Sequence, residues 1–410
     1  MPSEELLRKY ADVALVVGLG ADRGDRILID APVQTAEFTR LLVEQAYSLG
    51  ARNVDVLWRV DDVSRARFSH GSAEAAEVIT SAAEFRMRAY EVGDSILRVY
   101  AQDPMALAGM DVSRVKTSQK INGDFLRPLS DAQGAMHVPW TFIGVPNPAW
   151  TKTVFPGRDI DEATEALWAA ILRACRIDEA DPIHAYQTHL ATLESHRDYL
   201  TSRDYKNLRY EGPGTDLRME LPEGALWMGG GAMTPEGRRF GPNIPTEEVF
   251  CTPHRMHAEG RIQATKPLSL FGTLVEGFAF EVQAGLVTSA TAEKGQEALD
   301  QLLQTDPGAA RFGEAAMVPQ SGAVAAEELI WNNMLFDEND ACHIALGQGY
   351  SSCLQGSETM SSDELLKAGI NESSLHIDFV VGSSELDIYG VTEDGREEPI
   401  ISRGEWGFDL

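Results

Sequence analysis

The sequence has little positive charge for its length. Its 410 residues contain 35 Lys plus Arg against 63 Asp plus Glu, a formal net charge of −28. A surface this negative repels phosphate backbones and anionic lipid headgroups at long range. We therefore expect no nucleic-acid partner and no membrane partner, and we expect any bound cation to be held by a local cluster of ligands.

Long apolar runs and a cysteine framework are also missing. The longest apolar run near the amino terminus, Val13 to Leu19, is about a third of the ~20 residues needed to cross a bilayer. No export-signal pattern precedes the first amphipathic helix pattern. The sequence contains only four cysteines, without metal-ligand spacing: Cys175, Cys251, Cys342 and Cys353. We expect free thiols and a cytoplasmic location.

Several common catalytic motifs are absent. In Gly18-Leu19-Gly20 followed by Gly24, the third glycine is one position late for the dinucleotide fingerprint. The sequence has no phosphate-binding loop ending in Lys-Ser or Lys-Thr, no Gly-x-Ser-x-Gly elbow and no His-Glu-x-x-His helix. These absences disfavour nucleotide binding at that loop, serine hydrolases and zincins.

The length and the pattern of elements predict two domains. Residues 1–195 alternate between strand and helix patterns, which predicts an amino-terminal α/β domain with a partly parallel sheet. Residues 196–410 have short strands and Gly-rich connections, which predict an α+β domain with a mixed or antiparallel sheet. The predicted strands are Ala14–Gly18, Arg26–Ile29, Asn53–Trp58 (buried), Arg261–Ala264, Leu274–Phe280 and His376–Val381. The predicted helices are Thr35–Leu49, Ala73–Ala89, Asp161–Arg176 and Thr291–Thr305.

Candidate metal ligands lie in the last 170 positions. On a strand with period two, His376 and Asp378 project from the same face, where an imidazole and a carboxylate can hold a divalent ion. A polar pair at a sheet surface would look the same. His343 stands in a short apolar strand pattern, which also suits a core histidine bonded to the backbone.

Two further segments place carboxylates in unusual surroundings. Glu247 and Glu248 follow a proline-stiffened turn and precede an apolar strand, and surface charge is the alternative for both. Glu314 lies between small and apolar residues, where a buried carboxylate would need a cationic partner. Three carboxylates and two neutral imidazoles carry −3, so two divalent ions and one bridging hydroxide would balance the charge of the site.

Longer motifs resemble one known family, the aminopeptidase T and aminopeptidase S group of dinuclear metallo-aminopeptidases. The resemblance runs through nearly the whole chain, and its most specific segment is Asn243-Ile244-Pro245-Thr246-Glu247-Glu248-Val249-Phe250. The other matching segments include Pro146–Trp150, Val154–Gly157, Pro213–Leu217, Lys266–Leu268 and Gly313-Glu314.

The resemblance implies hydrolysis of the amino-terminal residue from short peptides by a hydroxide that bridges two divalent ions. The ions would be zinc, cobalt, manganese or magnesium, and the implied ligands are Glu248, Glu314, His343, His376 and Asp378. Tyr350 matches a tyrosine near the metals of the family, and we expect it to hydrogen-bond the developing oxyanion. Glu247 is a candidate for recognising the free amine, and Glu247, Glu314 and the hydroxide itself are the candidates for the general base. A homodimer with sites facing an internal cavity is also implied, and residues 1–195 would shape that cavity and the dimer.

Two other readings remain open from the residues. A metal-stabilised protein that binds peptides or small molecules without cleaving them would have every coordination position filled by protein. A dinuclear phosphoesterase would also use such a metal pair, but no basic residues flank the ligands to hold phosphate oxygens.

Overall fold

The computed structural model describes residues 2–270 and 272–410. The α-helices are α1 (Glu4–Asp12), α2 (Ala36–Ser48), α3 (Asp61–His70), α4 (Ser81–Glu91), α5 (Val112–Gly134), α6 (Pro148–Val154), α7 (Ile160–Ala174), α8 (Pro182–Arg203), α9 (Gln296–Leu303), α10 (Met334–Asp337) and α11 (Ser362–Lys367). The strands are β1 (Arg26–Pro32), β2 (Asn53–Arg59), β3 (Ser95–Tyr100), β4 (Trp140–Gly144), β5 (Asn207–Gly212), β6 (Thr215–Glu220), β7 (Met228–Gly229), β8 (Ala232–Met233), β9 (Arg239–Phe240), β10 (Asn243–Ile244), β11 (Val249–Cys251), β12 (Ala258–Gln263), β13 (Leu268–Leu270), β14 (Thr273–Val275), β15 (Ala279–Gln283), β16 (Leu286–Thr291), β17 (Phe312–Met317), β18 (His343–Gly347), β19 (His376–Val380), β20 (Asp387–Val391), β21 (Glu397–Ser402) and β22 (Glu405–Trp406).

The chain forms two compact units. The first contains Met1–Leu190, Gly231–Thr246 and Glu327–Phe336, and the second contains Ala191–Gly230, Glu247–Ala326 and Asp337–Leu410. The chain therefore passes between the units more than once, whereas the division at residue 195 assumes a single crossing. The assignment of cavity shaping to residues 1–195 and catalysis to residues 196–410 stays a prediction.

The first unit is built on a parallel sheet with the order β10-β4-β3-β1-β2. In β1, Leu28 packs with residues of α4 and α5, while its neighbours Ile27 and Ile29 alternate to the other face. All three side chains are buried, so both faces of the sheet are covered. This is the usual arrangement of a parallel sheet, and it confirms the predicted α/β class.

The second unit contains two antiparallel sheets. One has the order β19-β18-β17-β11-β7, and the other has the order β16-β15-β12-β6-β5-β20-β21-β22. Apolar side chains of both sheets form one buried cluster. Within it the Phe379 ring from β19 lies 5.2 Å from the Phe280 ring from β15. This core fixes the position of the five-stranded sheet, whose strands carry the candidate ligands.

Two predictions in the first unit were wrong. The predicted strand Ala14–Gly18 is a π-helical continuation of α1 over Val13–Gly18, in which the Leu19 N–H donates to the Ala14 carbonyl. The segment is almost wholly buried, so its apolar run carries no periodicity that separates strand from helix. The strand predicted at Asn53–Trp58 is present as β2, but its predicted burial is wrong, because β2 is a half-buried edge strand and Trp58 is exposed.

Other predicted elements are broken or shorter. The helix over Ala73–Ala89 divides into a 3-10 turn at Ala73–Glu77 and α4, where the Thr80 hydroxyl caps the new helix by accepting from Ala83 N. The strand over Leu274–Phe280 divides into β14 and β15 at Gly277, which has a φ of +59°. The helix over Thr291–Thr305 is limited to α9 because Thr291 ends β16. In the described part of the chain, none of the helices has an apolar stretch that could span a bilayer.

Candidate metal centre

The five predicted ligands lie on, or directly before, four neighbouring strands of the five-stranded antiparallel sheet in the second unit. Glu314 is in the middle of β17, His343 begins β18, and β19 carries the remaining His and Asp. Glu248 immediately precedes β11. Because the sheet order is β19-β18-β17-β11, residues separated by up to 130 positions in sequence become neighbours.

The strand register places these side chains on one face of the sheet. Glu314 pairs with Ala345, and Ala345 pairs with Asp378, so the three residues form a row across the sheet. Paired residues project from the same face, and so do residues two positions apart in one strand. His343 and His376 each lie two positions from a member of this row. The small Ala345 side chain leaves space between the two carboxylates.

The opposite face of the same strands is apolar. Val249, Met317, Ile344 and Phe379 alternate with the candidate ligands and belong to the buried core cluster. Side chains along these strands therefore alternate between the apolar core on one face and the polar cluster on the other. Packing of the apolar face holds the backbone of each candidate ligand in place.

His376 has a defined tautomer. Its Nδ1 lies 2.7 Å from the Gln348 carbonyl oxygen, which can only accept, so Nδ1 carries the proton. In the neutral ring Nε2 then has a free lone pair. Nε2 lies 2.9 Å from Glu314 Oε2 and 3.4 Å from Asp378 Oδ1. A backbone acceptor on the far nitrogen is the usual support of a metal-binding histidine.

His343 is arranged in the same way. Its Nδ1 lies 3.2 Å from the Ala341 carbonyl oxygen, and its Nε2 lies 3.2 Å from Glu248 Oε2 and 4.0 Å from Asp378 Oδ1. The ring is buried, with 1% of the side chain exposed. Both histidines thus direct Nε2 toward carboxylate oxygens.

The ligand atoms form two groups that share one residue. Glu248, Glu314 and His343 make the first group, and Glu314, His376 and Asp378 make the second, with the ligand atoms of each group within 4.8 Å of one another. Two overlapping groups suit two ions that share Glu314. Oxygen and imidazole donors without thiolates suit zinc, cobalt or manganese.

The electrostatics of the cluster also favour a cation. Burial raises the pKa of Glu314 to about 7 against the opposing hydrogen bond to His376. Burial alone would lower the pKa of His343, but the Glu248 hydrogen bond and the surrounding carboxylates raise it to about 10. Asp378 Oδ1 is buried and has no hydrogen bond. An unsatisfied carboxylate oxygen beside two imidazole nitrogens is the position a metal ion would satisfy.

Tyr350 lies at the edge of this cluster. Its hydroxyl is 3.4 Å from His376 Nε2, and its ring lies 4.9 Å from the His376 ring and 5.3 Å from the Phe250 ring. The Tyr350 N–H donates to the Thr252 hydroxyl. Burial, the largest effect, and the charge of Glu314 raise the pKa of Tyr350 well above its usual value. The hydroxyl therefore keeps its proton and acts as a donor.

Glu247 is placed differently from Glu248. Its backbone N–H donates to Asn339 Oδ1 at 2.7 Å, and its carboxylate lies against Gly322. It belongs to neither group of ligand atoms. The alternation along the chain before β11 directs consecutive side chains to different sides, so only one of the two adjacent glutamates joins the cluster.

Glu338 is an acid that the sequence reasoning missed. It is half-buried, and Asn339 Nδ2 donates to Glu338 Oε1 at 3.3 Å. Burial raises the pKa of Glu338 well above its usual value, and the charges of Glu248 and Asp378 raise it further, which places this acid in the same electrostatic field. Its sequence context, an acidic stretch after Phe336, resembles surface charge, so nothing local distinguishes it.

Comparison with known proteins places the chain in a family. The family model described as thermophilic metalloprotease (M29) matches residues 3–406. The chain is 40% identical over 408 residues to Aminopeptidase 2 of Geobacillus stearothermophilus, with 99% of each protein covered. It is 36% identical over 403 residues to Aminopeptidase AmpS of Bacillus subtilis, with 98% of each covered.

A solved structure supports the same assignment. Wild-type AmpT from Thermus thermophilus superposes with a TM-score of 0.91 at 39% identity, and the match covers 98% of this chain and 99% of that chain. The resemblance stated from the sequence motifs is confirmed. The chain belongs to the thermophilic metalloprotease (M29) family.

Proposed function

We propose that the protein is a metal-dependent aminopeptidase that removes the amino-terminal residue from short peptides. The observation that carries the proposal is the pair of overlapping ligand groups on one face of the five-stranded sheet, joined by Glu314. The family is one of metalloproteases, and the relatives named above are aminopeptidases. These similarities support the proposal that the protein cleaves peptide bonds.

We propose two divalent ions per chain as the cofactor. Glu248 and His343 would hold one, His376 and Asp378 the other, and Glu314 would contribute to both. When bound, such ions supply Lewis acidity and lower the pKa of a shared water. The carbonyl oxygens of Gln348 and Ala341 accept from Nδ1 of His376 and His343, so that Nε2 is the nitrogen of each ring that would bind an ion.

Other roles belong to the protein side chains. The Tyr350 hydroxyl donates a hydrogen bond to the oxyanion that develops on the scissile carbonyl, because its raised pKa keeps the phenol neutral. An acid near the metals is needed to attract the free ammonium group of the substrate. Glu247 and Glu338 are the two candidates for this role, and Glu338 lies in the electrostatic field of Glu248 and Asp378.

The location and assembly remain proposals as well. Cys175, Cys251, Cys342 and Cys353 are buried free thiols, which suits the reducing cytoplasm. The homodimer rests on the family resemblance of the sequence motifs. Light scattering of the purified protein tests it, because a dimer has twice the mass of one chain and a monomer would overturn the proposal.

Hydrolysis of aminoacyl-nitroanilides tests the activity. The purified protein is assayed as prepared, after chelation, and after each divalent metal is returned, beside the variant His376→Ala and the control His257→Ala, whose ring is half-exposed and pairs with Glu220. We expect activity that chelation abolishes and metal restores, near zero turnover in His376→Ala, and normal turnover in the control. Metal-loaded protein that retains bound peptide without cleaving it would instead indicate a binding protein.

A further inference from the structure

The parallel sheet of the first unit contains an ionic cluster that the proposed activity does not use. Asp30 in β1 is buried, with 2% of its side chain exposed. Arg59 Nε donates to Asp30 Oδ1 at 2.7 Å, and Arg86 Nε donates to Asp30 Oδ2 at 2.8 Å. Arg98 Nε lies 3.9 Å from the same Oδ2 atom. Three guanidinium groups therefore surround one carboxylate.

The cluster lies on one face of the sheet, near the carboxyl ends of the strands. Asp30 and Arg98 are paired in the register of β1 and β3, and Arg59 is the last residue of β2. Arg86 reaches the cluster from α4. The arginine side chains keep exposed fractions of 16% for Arg59, 20% for Arg86 and 30% for Arg98, so solvent reaches the cluster.

The charges in the cluster do not balance. Three arginines and one aspartate give +2, in a protein whose net charge is −28. Burial and then repulsion by Arg98 lower the pKa of Arg59 to about 10. Two acids that follow these arginines in sequence accept backbone hydrogen bonds elsewhere: Asp61 Oδ2 accepts from the Asp103 N–H, and Asp103 Oδ1 accepts from the Met105 N–H.

Arg98 is the arginine with unused donors. The Arg59 side chain also donates to the Val99 carbonyl and to Gln102. The Arg98 side chain donates no hydrogen bond to any residue that the structure describes, and its Nε is buried without a hydrogen-bond partner. Its guanidinium lies 5.1 Å from the Tyr100 ring centroid and 6.0 Å from that of Phe142. Aromatic rings thus hold the planar fork in place without satisfying its N–H groups.

The sheet topology indicates a ligand at the same place. From β1 the chain continues to β2 on one side, while β3 and β4 lie on the other side, so the strand order reverses between β1 and β3. Open parallel sheets bind ligands outside the carboxyl ends of the strands at this reversal. Asp30 and Arg98 are the pair nearest the carboxyl ends in the register of these two strands.

We propose that this cluster, Asp30 with Arg59, Arg86 and Arg98, is a binding site for a small oxyanion, either a phosphate or a carboxylate group. The unbonded fork of Arg98 makes the bidentate contact, and Arg86 adds a second positive charge. Asp30 keeps the arginines in position but neutralises only one of their three positive charges. The remaining charge of +2 attracts the anionic ligand. Planar or tetrahedral oxyanions match the fork, which a lysine ammonium cannot reproduce.

Calorimetric titration of the metal-loaded protein at constant ionic strength tests the proposal. The probes are inorganic phosphate and N-acetylglycine, which offers a carboxylate and no free amine, with chloride as the blank. The variants are Arg98→Gln and Arg98→Lys, and the control is Arg88→Gln, an exposed arginine of the same helix as Arg86. Circular dichroism and nitroanilide turnover establish that each variant is folded.

We expect at least one probe to bind the wild type and the control equally, to bind Arg98→Gln at least tenfold more weakly, and to bind Arg98→Lys with intermediate affinity. The probe that binds identifies phosphate or carboxylate as the ligand group. Binding that is the same in folded wild type and Arg98→Gln would place the anion elsewhere, for instance at the metals, and would overturn the proposal. Absence of binding by both probes would do the same.

Discussion

The Tyr350→Phe substitution separates a catalytic hydroxyl from a structural ring. Phe retains the ring contacts with Phe250 and His376 and the backbone bond to Thr252, and it removes only the hydroxyl that lies 3.4 Å from His376 Nε2. A lost oxyanion donor costs roughly 3–4 kcal/mol. Because about 1.4 kcal/mol corresponds to a tenfold change in rate, we expect kcat to fall roughly 10²- to 10³-fold.

The assay is steady-state hydrolysis of an aminoacyl-nitroanilide, with the metal content of every preparation measured in parallel. Tyr389→Phe is the control, because Tyr389 lies in β20 of the other sheet of the same unit. We expect the Tyr350 variant to keep its full metal content and its KM within a few-fold. An unchanged kcat, or a loss of activity that follows a loss of metal, would refute the assignment of an oxyanion donor.

Three further predictions concern the cluster and its support. Glu314→Gln should lose both ions, since Glu314 belongs to both ligand groups, whereas Glu248→Gln should lose mainly one, and mass spectrometry of the bound metal distinguishes them. Ala345→Val should lower the metal content and also lower the free energy of unfolding by about 1–3 kcal/mol, because the added methyl groups overpack the space between the carboxylates. Ala315→Val, on the apolar face, should lower the free energy of unfolding alone. Urea unfolding and metal analysis measure the two effects. Burial would raise the pKa of Asp306, but hydrogen bonds from hydroxyl and N–H groups outweigh it and lower that pKa, so its contribution is present above pH ~4 and is lost as the pH falls further. Asp306→Asn should therefore cost about 1–2 kcal/mol at pH 7, a difference that shrinks toward pH 3 in urea unfolding.

The local part of the candidate site could be predicted from sequence. A two-residue period is a property of any strand, so His376 and Asp378 had to share a face once β19 was recognised. The other ligands could not be predicted from local patterns in this way. Glu248 and Glu314 join them only because β11, β17, β18 and β19 are neighbours in the sheet, and strand order is set by packing across the whole unit. Only the family motifs indicated those long-range partners in advance.

The remaining differences have physical causes that single-sequence patterns do not carry. Val13–Gly18 is almost wholly buried, so its sequence is a continuous apolar run. Such a run is compatible with a buried strand and with a buried helix, and its pattern does not distinguish them. Glu338 stands in an acidic stretch that is indistinguishable from solvated charge. The arginines around Asp30 come from two strands and one helix, and their excess charge is visible only once the fold brings them together.

Anomalous X-ray scattering from crystals of the metal-loaded protein tests the central claim most directly. It locates bound ions independently of activity, and its strength at the absorption edge identifies the element. We predict two peaks, both within coordination distance of Glu314, one beside His343 and the other beside His376. A fully loaded, active protein whose ions lie away from Glu314 would contradict the account.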